Sequence, residues 1–348
     1  MAMADHGASG FLAPDKRHLW HRAEPFVWSF KSNDPKEDPA RSIMRTLWDQ
    51  PRWLEAYHLY DERGSELFEQ ICALPEYYLT RTEDSILEQA AKRIMAAAPV
   101  KCIVELGAGS AKKTTHLLQA QLELFGSGIF APIDVSLSGL LISRDYVRKH
   151  LPAIDFHGLH ARYEDGFSSI DPNLPKLFVF LGSTIGNFTP PAFTRFFGHL
   201  SAAMGPNDFL LLGADRIKDA AILEAAYDDS QGLTADFILN VFDHINRLLN
   251  SNFTRRKMRY HASYNPHWRQ IEMYAISTAD QTIECPAFAT SFQWEKEERI
   301  LVEISRKFDP LRLQGQLGFF DLLPAGHFTD SKNWFSLLLF RKASGRID

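Results

Sequence analysis

Three short stretches of this sequence carry residue types that can hold a nucleotide-like ligand beside a small polar molecule. The first is Val104-Glu-Leu-Gly-Ala-Gly109, where two glycines close an apolar run. Glycines there let the chain turn tightly and bring backbone amides against a ligand. A pyrophosphate-binding fingerprint adds a third glycine three residues on; that position is Lys112, which weakens a dinucleotide reading. Asp134 ends the next apolar run, where a carboxylate can accept hydrogen bonds from a ligand. The second stretch runs from Phe178 off an apolar segment into Gly182-Ser-Thr-Ile-Gly-Asn187. Gly182 and Gly186 admit close approach, and Asn187 offers one acceptor and two donors, unless it is a plain turn former. The third joins Tyr60-Asp-Glu-Arg-Gly-Ser-Glu-Leu-Phe68 to Leu74-Pro-Glu-Tyr-Tyr78. Tyr77 and Tyr78 adjoin a proline-marked turn, and a phenol there needs a polar partner. Phe68 is open to a core role or a ligand contact.

The elements that must position these stretches follow from apolar spacing. Ile86, Ala90 and Ile94 predict a helix over 83–98 that closes at Pro99. A buried strand over 101–106 leads through the glycine loop into a helix, with Leu118, Leu122 and Phe125 on one face. Further strands are expected over 128–134, 153–158, 177–181, 208–212 and 334–340. Such alternation predicts an α/β fold with a mostly parallel sheet covered on both faces. Between 219 and 306 the alternation breaks. A long helix over 219–249 is followed by strand-like runs at 258–264, 270–277, 281–285 and 299–305, which suggest an antiparallel sheet in an inserted lobe. Residues 1–45 read as an N-terminal extension punctuated by Pro14, Pro25, Pro35 and Pro39. It is either a flexible arm or one lying over the body, since Trp20, Phe26, Trp28 and Phe30 want a surface. His18 and His21 have a ligand-like spacing but no acidic or cysteine partner, so no metal site is expected.

Composition narrows the class. The chain has 348 residues, 45% of them hydrophobic, which excludes wholesale disorder. A formal net charge of −5 argues against nucleic acid or an anionic membrane as partner. Three scattered cysteines make no disulfide framework, and no apolar run is long enough to span a bilayer. The first residues lack the cationic start and apolar core of a signal peptide, so a cytoplasmic protein is expected.

Taken together, residues 60–340 resemble the histidine-specific Nα-methyltransferases of ergothioneine biosynthesis. The likeness rests on YDERGSELF, LPEYYLTRTE, ELGAGSAKKT, FLGSTIGNFTP, LLGADRIKD, AYDDSQGLTADF, IEM and VEISRKF, in that order. It implies a class I, Rossmann-like methyltransferase sheet with an inserted α+β substrate-binding lobe. The lobe would comprise residues 46–81 and 219–306, and the cofactor domain 82–218 and 307–348. It further implies a monomer that uses S-adenosylmethionine to trimethylate the α-amine of L-histidine, giving hercynine.

Residue by residue, the resemblance assigns cofactor contacts to Gly107, Lys113 and Asp134, and sets Tyr77 at the junction of cofactor and substrate. Asn187 and Tyr227 match the holders of the α-carboxylate; Tyr60, Phe68 and Gly182 surround the amine being methylated. Met273 lies in the imidazole pocket, or is packing alone, and Glu303 with Ser305 matches the pair that addresses the imidazole edge. The alternative for Glu303 is a surface ion pair with Arg306 or Lys307. Where the family sets an acid and an aromatic near the adenine, this chain has Arg162-Tyr163. The same superfamily includes enzymes acting on a tryptophan derivative, so another amino acid such as tryptophan is the alternative acceptor. Within a strand Glu303 and Ser305 point to one face, where a carboxylate and a hydroxyl suit an imidazole better than an indole.

Overall fold

The computed structural model describes residues 11–31, 38–107 and 109–343. A hairpin of β1 (Trp20–Glu24) and β2 (Val27–Phe30) precedes α1 (Pro39–Leu47), α2 (Glu62–Cys72) and α3 (Tyr78–Ala97). Alternation begins with β3 (Cys102–Glu105), α4 (Thr115–Phe125), β4 (Gly128–Phe130), β5 (Ile133–Asp134) and α5 (Leu137–His150). It continues through β6 (Ile154–Phe156), β7 (Gly158–His160), α6 (Tyr163–Ser168), β8 (Lys176–Phe180), α7 (Pro190–Ala203) and β9 (Phe209–Asp215). Then come α8 (Ala220–Ala225), α9 (Leu233–Leu249), β10 (Met258–Asn265), β11 (Gln270–Ser277), β12 (Gln281–Cys285), β13 (Thr290–Trp294) and β14 (Arg299–Arg306). The order closes with α10 (Pro310–Gly318), β15 (Leu322–Thr329) and β16 (Phe335–Lys342).

Seven strands in the order β15-β16-β9-β8-β3-β4-β6 form the central sheet. Five of them run parallel, and β16 and β15 add antiparallel at one edge. Successive residues of a strand face opposite sides. Thus Cys102, Val104, Phe178 and Phe180 enter one apolar cluster, and Ile103, Leu177 and Val179 enter another. A sheet buried on both faces needs continuous apolar runs, and those runs are what the sequence displays.

Three segments differ from expectation for local reasons. The run at 128–134 is split in two, because Pro132 has no N–H to give a ladder and β5 leaves to pair with β7. β5 and β7 join the N-terminal hairpin in a small sheet of order β1-β2-β7-β5. The hairpin therefore lies over the body, with Trp20 and Val27 buried and Phe11 and Leu12 beside them. Helix α3 starts at Tyr78 rather than 83, its β-branched Thr80 and Thr82 hiding the first turn from a propensity reading. The helix expected over 219–249 breaks before Leu233. Asp229 accepts from the N–H groups of Gln231, Leu233 and Thr234, and Gly232 takes φ 73°. Carboxylate capping of free amides restarts the helix there.

β10, β11 and β14 form an antiparallel sheet, and β12 and β13 a separate hairpin. α9 lays Phe237, Val241, Phe242 and Ile245 into the same cluster as Ile271, Met273, Ile300 and Val302, joined by Ile43 and Leu47 of α1. β14 carries a bulge. Met273 is opposite Glu303 and Tyr274 is opposite Leu301, which leaves Val302 as the extra residue. Directly opposed residues share a face. The bulge thus turns Glu303 and Ser305 to the side of Met273 and Ile271; an unbroken register would send them to the other side.

Candidate active site

The glycine loop leaves the end of β3 with Gly107 at φ 82° and Gly109 at φ 45°, a region that suits residues without a Cβ. Gly107 also has no room for one, since an added Cβ would lie 2.9 Å from the Tyr163 hydroxyl. Tyr163 packs edge-on against Phe180 at 5.7 Å and Phe196 at 6.1 Å, which sets its hydroxyl under the loop. Its neighbour Arg162 is exposed at the start of α6. Asp134 ends β5 and accepts from the Ser136 N–H at 2.8 Å. Glu105 is buried, accepts from the Thr114 hydroxyl through one oxygen, and leaves the other without a protein partner.

Lys113 reaches a residue that sequence reasoning did not assign. Glu83 of α3 is fully buried and pairs with the Lys113 ammonium, while both its oxygens lie 2.9 Å from the Gly182 N–H. Burial pushes the Lys113 ammonium down, and the Glu83 carboxylate outweighs this, so its pKa ends above the ordinary value. Gly182 at φ 73° and Ser183 at φ 55° make the sharp turn that ends β8. The turn then enters a single 3-10 turn, Thr184–Asn187.

That turn delivers Asn187 to β14. A Cβ on Gly186 would lie 3.0 Å from the Arg306 backbone, so a larger residue would have to push β14 back. Asn187 Nδ2 donates to Glu303 Oε1 at 2.8 Å, and Tyr227 Oη lies 2.8 Å from Ser305 Oγ. The two residues expected at a carboxylate are therefore bonded to the two expected at an imidazole. Met273 is buried opposite Glu303. Beside them stands a cluster of rings in edge contact: Tyr60 is 5.5 Å from Phe68, Phe68 is 6.1 Å from Tyr77, and Tyr77 is 5.9 Å from Tyr227. Phe237 joins Tyr60 and Phe68 at 5.6 and 5.7 Å. Behind Tyr227 lies a buried ionic group of Asp215, Lys218 and Lys307, whose aspartate also accepts from the Tyr78 hydroxyl at 2.7 Å. Glu303 makes no ion pair with Arg306 or Lys307 among the described residues.

Burial pushes both Glu105 and Glu303 up to about 8. A carboxyl with a folded-state pKa above its unfolded one makes the folded protein bind more protons, so stability falls as pH rises through that window. These two carboxyls are expected to pull urea midpoints down between about pH 4.5 and 8, offset in part below about pH 6.5 by His58, whose burial lowers its pKa to about 4. In a Glu105→Gln, Glu303→Gln double variant that decline becomes shallower; an identical decline would mean that neither carboxyl carries it.

The profile of a family described as histidine-specific, SAM-dependent methyltransferases matches residues 39–342. The chain belongs to that family. A histidine N-alpha-methyltransferase of Mycobacterium tuberculosis is 35% identical over 87% of this chain and 94% of its own length. Ergothioneine biosynthesis protein 1 of Neurospora crassa is 33% identical over 75% of this chain, a match covering 30% of that protein. An L-tryptophan methyltransferase of Psilocybe serbica is 26% identical over 88% of this chain and 93% of its own length.

S-adenosylmethionine is the cofactor of this methyltransferase, and the residues present fit it. The unpartnered Glu105 oxygen, the Gly107 turn and the Asp134 carboxylate all lie at strand ends that face the glycine loop. Ligands of open α/β sheets bind beyond such carboxyl ends. Glu83, Asp215, Lys307 and Phe237 are the functional-site neighbours that spacing missed. All four lie inside the quoted motifs, yet a buried ion pair between distant segments leaves no periodic trace.

Proposed function

We propose that this methyltransferase trimethylates the α-amine of L-histidine to hercynine, a step towards ergothioneine. One observation carries the reading: the part-buried contact of Asn187 with Glu303 and the buried contact of Tyr227 with Ser305, beside a cluster of aromatic rings. An amino acid bridging these pairs would give its carboxylate to Asn187 and Tyr227 and its ring edge to Glu303 and Ser305. An imidazole has both a donor and an acceptor to offer them. An indole has one donor only, and a buried polar group left unpaired costs about 1–3 kcal/mol.

The cofactor supplies an electrophilic methyl group; the chain supplies alignment. In this reading Gly107, Lys113, Asp134, Arg162, Tyr163 and Tyr77 hold the cofactor. Tyr60, Phe68 and the Gly182 backbone surround the amine, and the Tyr60 hydroxyl accepts from it and turns its lone pair. Aromatic faces attract alkylammonium groups by about 0.5–2 kcal/mol each, which suits an amine that ends with fixed positive charge. No general base is required when the neutral amine is captured from solution. Met273 walls the ring pocket. The reading treats residues 46–81 with 219–306 as the acceptor lobe and the protein as a cytoplasmic monomer. No helix among the described residues is long and apolar enough to cross a membrane.

The test is to incubate the pure protein with S-adenosylmethionine and the twenty amino acids and read products by mass spectrometry. Histidine is expected to gain three methyl groups. A methylated tryptophan in its place would overturn the acceptor assignment and leave the chemistry intact.

A further inference from the structure

Lys307 has no part in the reading above, yet its side chain is fully buried beside the acceptor end. A buried ammonium is costly unless each hydrogen finds an acceptor. All three do: Asp215 Oδ2 at 2.9 Å, Tyr227 Oη at 2.8 Å and Ser305 Oγ at 2.9 Å. Nothing remains for a ligand. The charge of Lys307 reaches the pocket through two hydroxyls and acts through space on Glu303.

A count of hydrogens and lone pairs decides what those hydroxyls can offer. Each has one hydrogen and two lone pairs. Lys307 occupies one lone pair on each oxygen, and the Tyr227–Ser305 contact spends one hydrogen and one further lone pair. Whichever of the two donates, the other has both lone pairs filled and its own hydrogen unspent. The pair must therefore aim a donor away from Lys307. Without the ammonium no such constraint exists, because the lone pairs would be free to accept. Around the pair, Lys218 and Lys307 share the carboxylate of Asp215, with Asp330 acting on Lys218 and Glu303 on Lys307 from further off.

We propose that Lys307 is a positioning residue that fixes Tyr227 as a hydrogen-bond donor toward the α-carboxylate of the acceptor, with Ser305 donating to Tyr227. This rests on the histidine reading of the site. A carboxylate only accepts, and a donor backed by an ammonium is strengthened through the chain of hydrogen bonds. Lys307 thereby selects acceptors by their carboxylate without touching it.

The experiment compares kcat/KM for L-histidine and L-histidinamide in wild type, Lys307→Met and Lys307→Arg. The amide's own reactivity cancels when ratios are compared between variants. The wild type is expected to favour the acid, and Lys307→Met to shrink that ratio by about 10- to 100-fold, the range of one charge-assisted hydrogen bond. S-adenosylhomocysteine binding by calorimetry should stay within about twofold, and Lys307→Arg should recover part of the ratio. A merely structural role would lower both substrates alike and leave the ratio unmoved. If Lys307→Met fails to bind the cofactor product, Lys307→Gln, which keeps a donor toward Asp215 without the charge and leaves the Lys218–Asp215 pair intact, carries the same comparison. A wild type without preference, or a preference that survives in these variants, overturns the inference alone. A wild type that methylates neither compound overturns the histidine reading as well.

Discussion

Glu303→Ala is expected to lower kcat/KM for L-histidine by about 10- to 100-fold while cofactor binding stays within about twofold. The side chain is buried, with Met273 opposite and Asn187 as its hydrogen-bond partner. Burial holds the Glu303 pKa at about 8, so the effect is read above that pH, where the group is ionised. Hydrogen bonds to charged groups contribute about 1.5–3 kcal/mol, and 1.4 kcal/mol is one factor of ten. Truncation removes the acceptor proposed for the imidazole N–H and frees Asn187 to turn, so both ends of the amino acid lose their anchor. The cofactor side is untouched, because Gly107, Lys113 and Asp134 stand on other elements. Glu303→Gln keeps the shape and one acceptor and should fall between the two. Steady-state kinetics with histidine, beside calorimetry with S-adenosylhomocysteine, reads both quantities. Full efficiency in the alanine variant would remove Glu303 from the acceptor pocket.

Glu303 was legible through its likeness to the family's VEISRKF motif, and parity added that it and Ser305 can converge on one ligand. Two residues apart in a strand, Glu303 and Ser305 share a face whatever the fold. Which face they share was not legible, because it depends on the bulge at Val302 and on a pairing register that no single strand encodes. The central sheet shows the same division. Its apolar runs announce buried strands such as β3 and β8, and the glycine loop after β3 announces the ligand end. The edge strand β15 was missed: its burial is slight beyond Leu322, and Pro324 and Gly326 mask it. The N-terminal hairpin read as an uncommitted arm because its strands find their partner at Gly158–His160, more than a hundred residues away. A residue placed by its own turn, such as Asn187, leaves a local signature of turn and glycine. Residues held by a buried partner do not: Glu83 meets Lys113, and Asp215 meets Lys307, only when distant segments of the chain converge.

Glu83→Ala should therefore have the largest effect on stability, with a thermal midpoint lower by roughly 5–10 °C. Breaking a buried ion pair by removing one member costs about 3–5 kcal/mol, because the other is left without its counter-charge. Here the Lys113 side chain is 25% exposed, which lets water recover part of that loss, while the Gly182 N–H loses its only acceptor among the described residues. The carboxylate also fills space against the sheet: a Cβ on Gly213 would lie 2.2 Å from Glu83 Oε1, so the alanine variant leaves a void there. The functional loss should exceed the loss of folded protein. Lys113 would swing from its place beside the glycine loop, and the Gly182-Ser183 turn that delivers Asn187 would lose its anchor. Cofactor affinity and the Michaelis constant for histidine are then both expected to worsen in material that is still folded. Glu83→Gln separates the causes. It can still accept from Gly182, so it should restore most of the thermal midpoint, but without the charge it cannot hold Lys113, and cofactor affinity should stay low. Thermal denaturation and calorimetry on the two variants decide the matter, and an alanine variant with unchanged midpoint and affinity would mean that helix α3, which offers Tyr78 to Asp215 and Glu83 to Lys113, does not tie the cofactor loop to the acceptor turn.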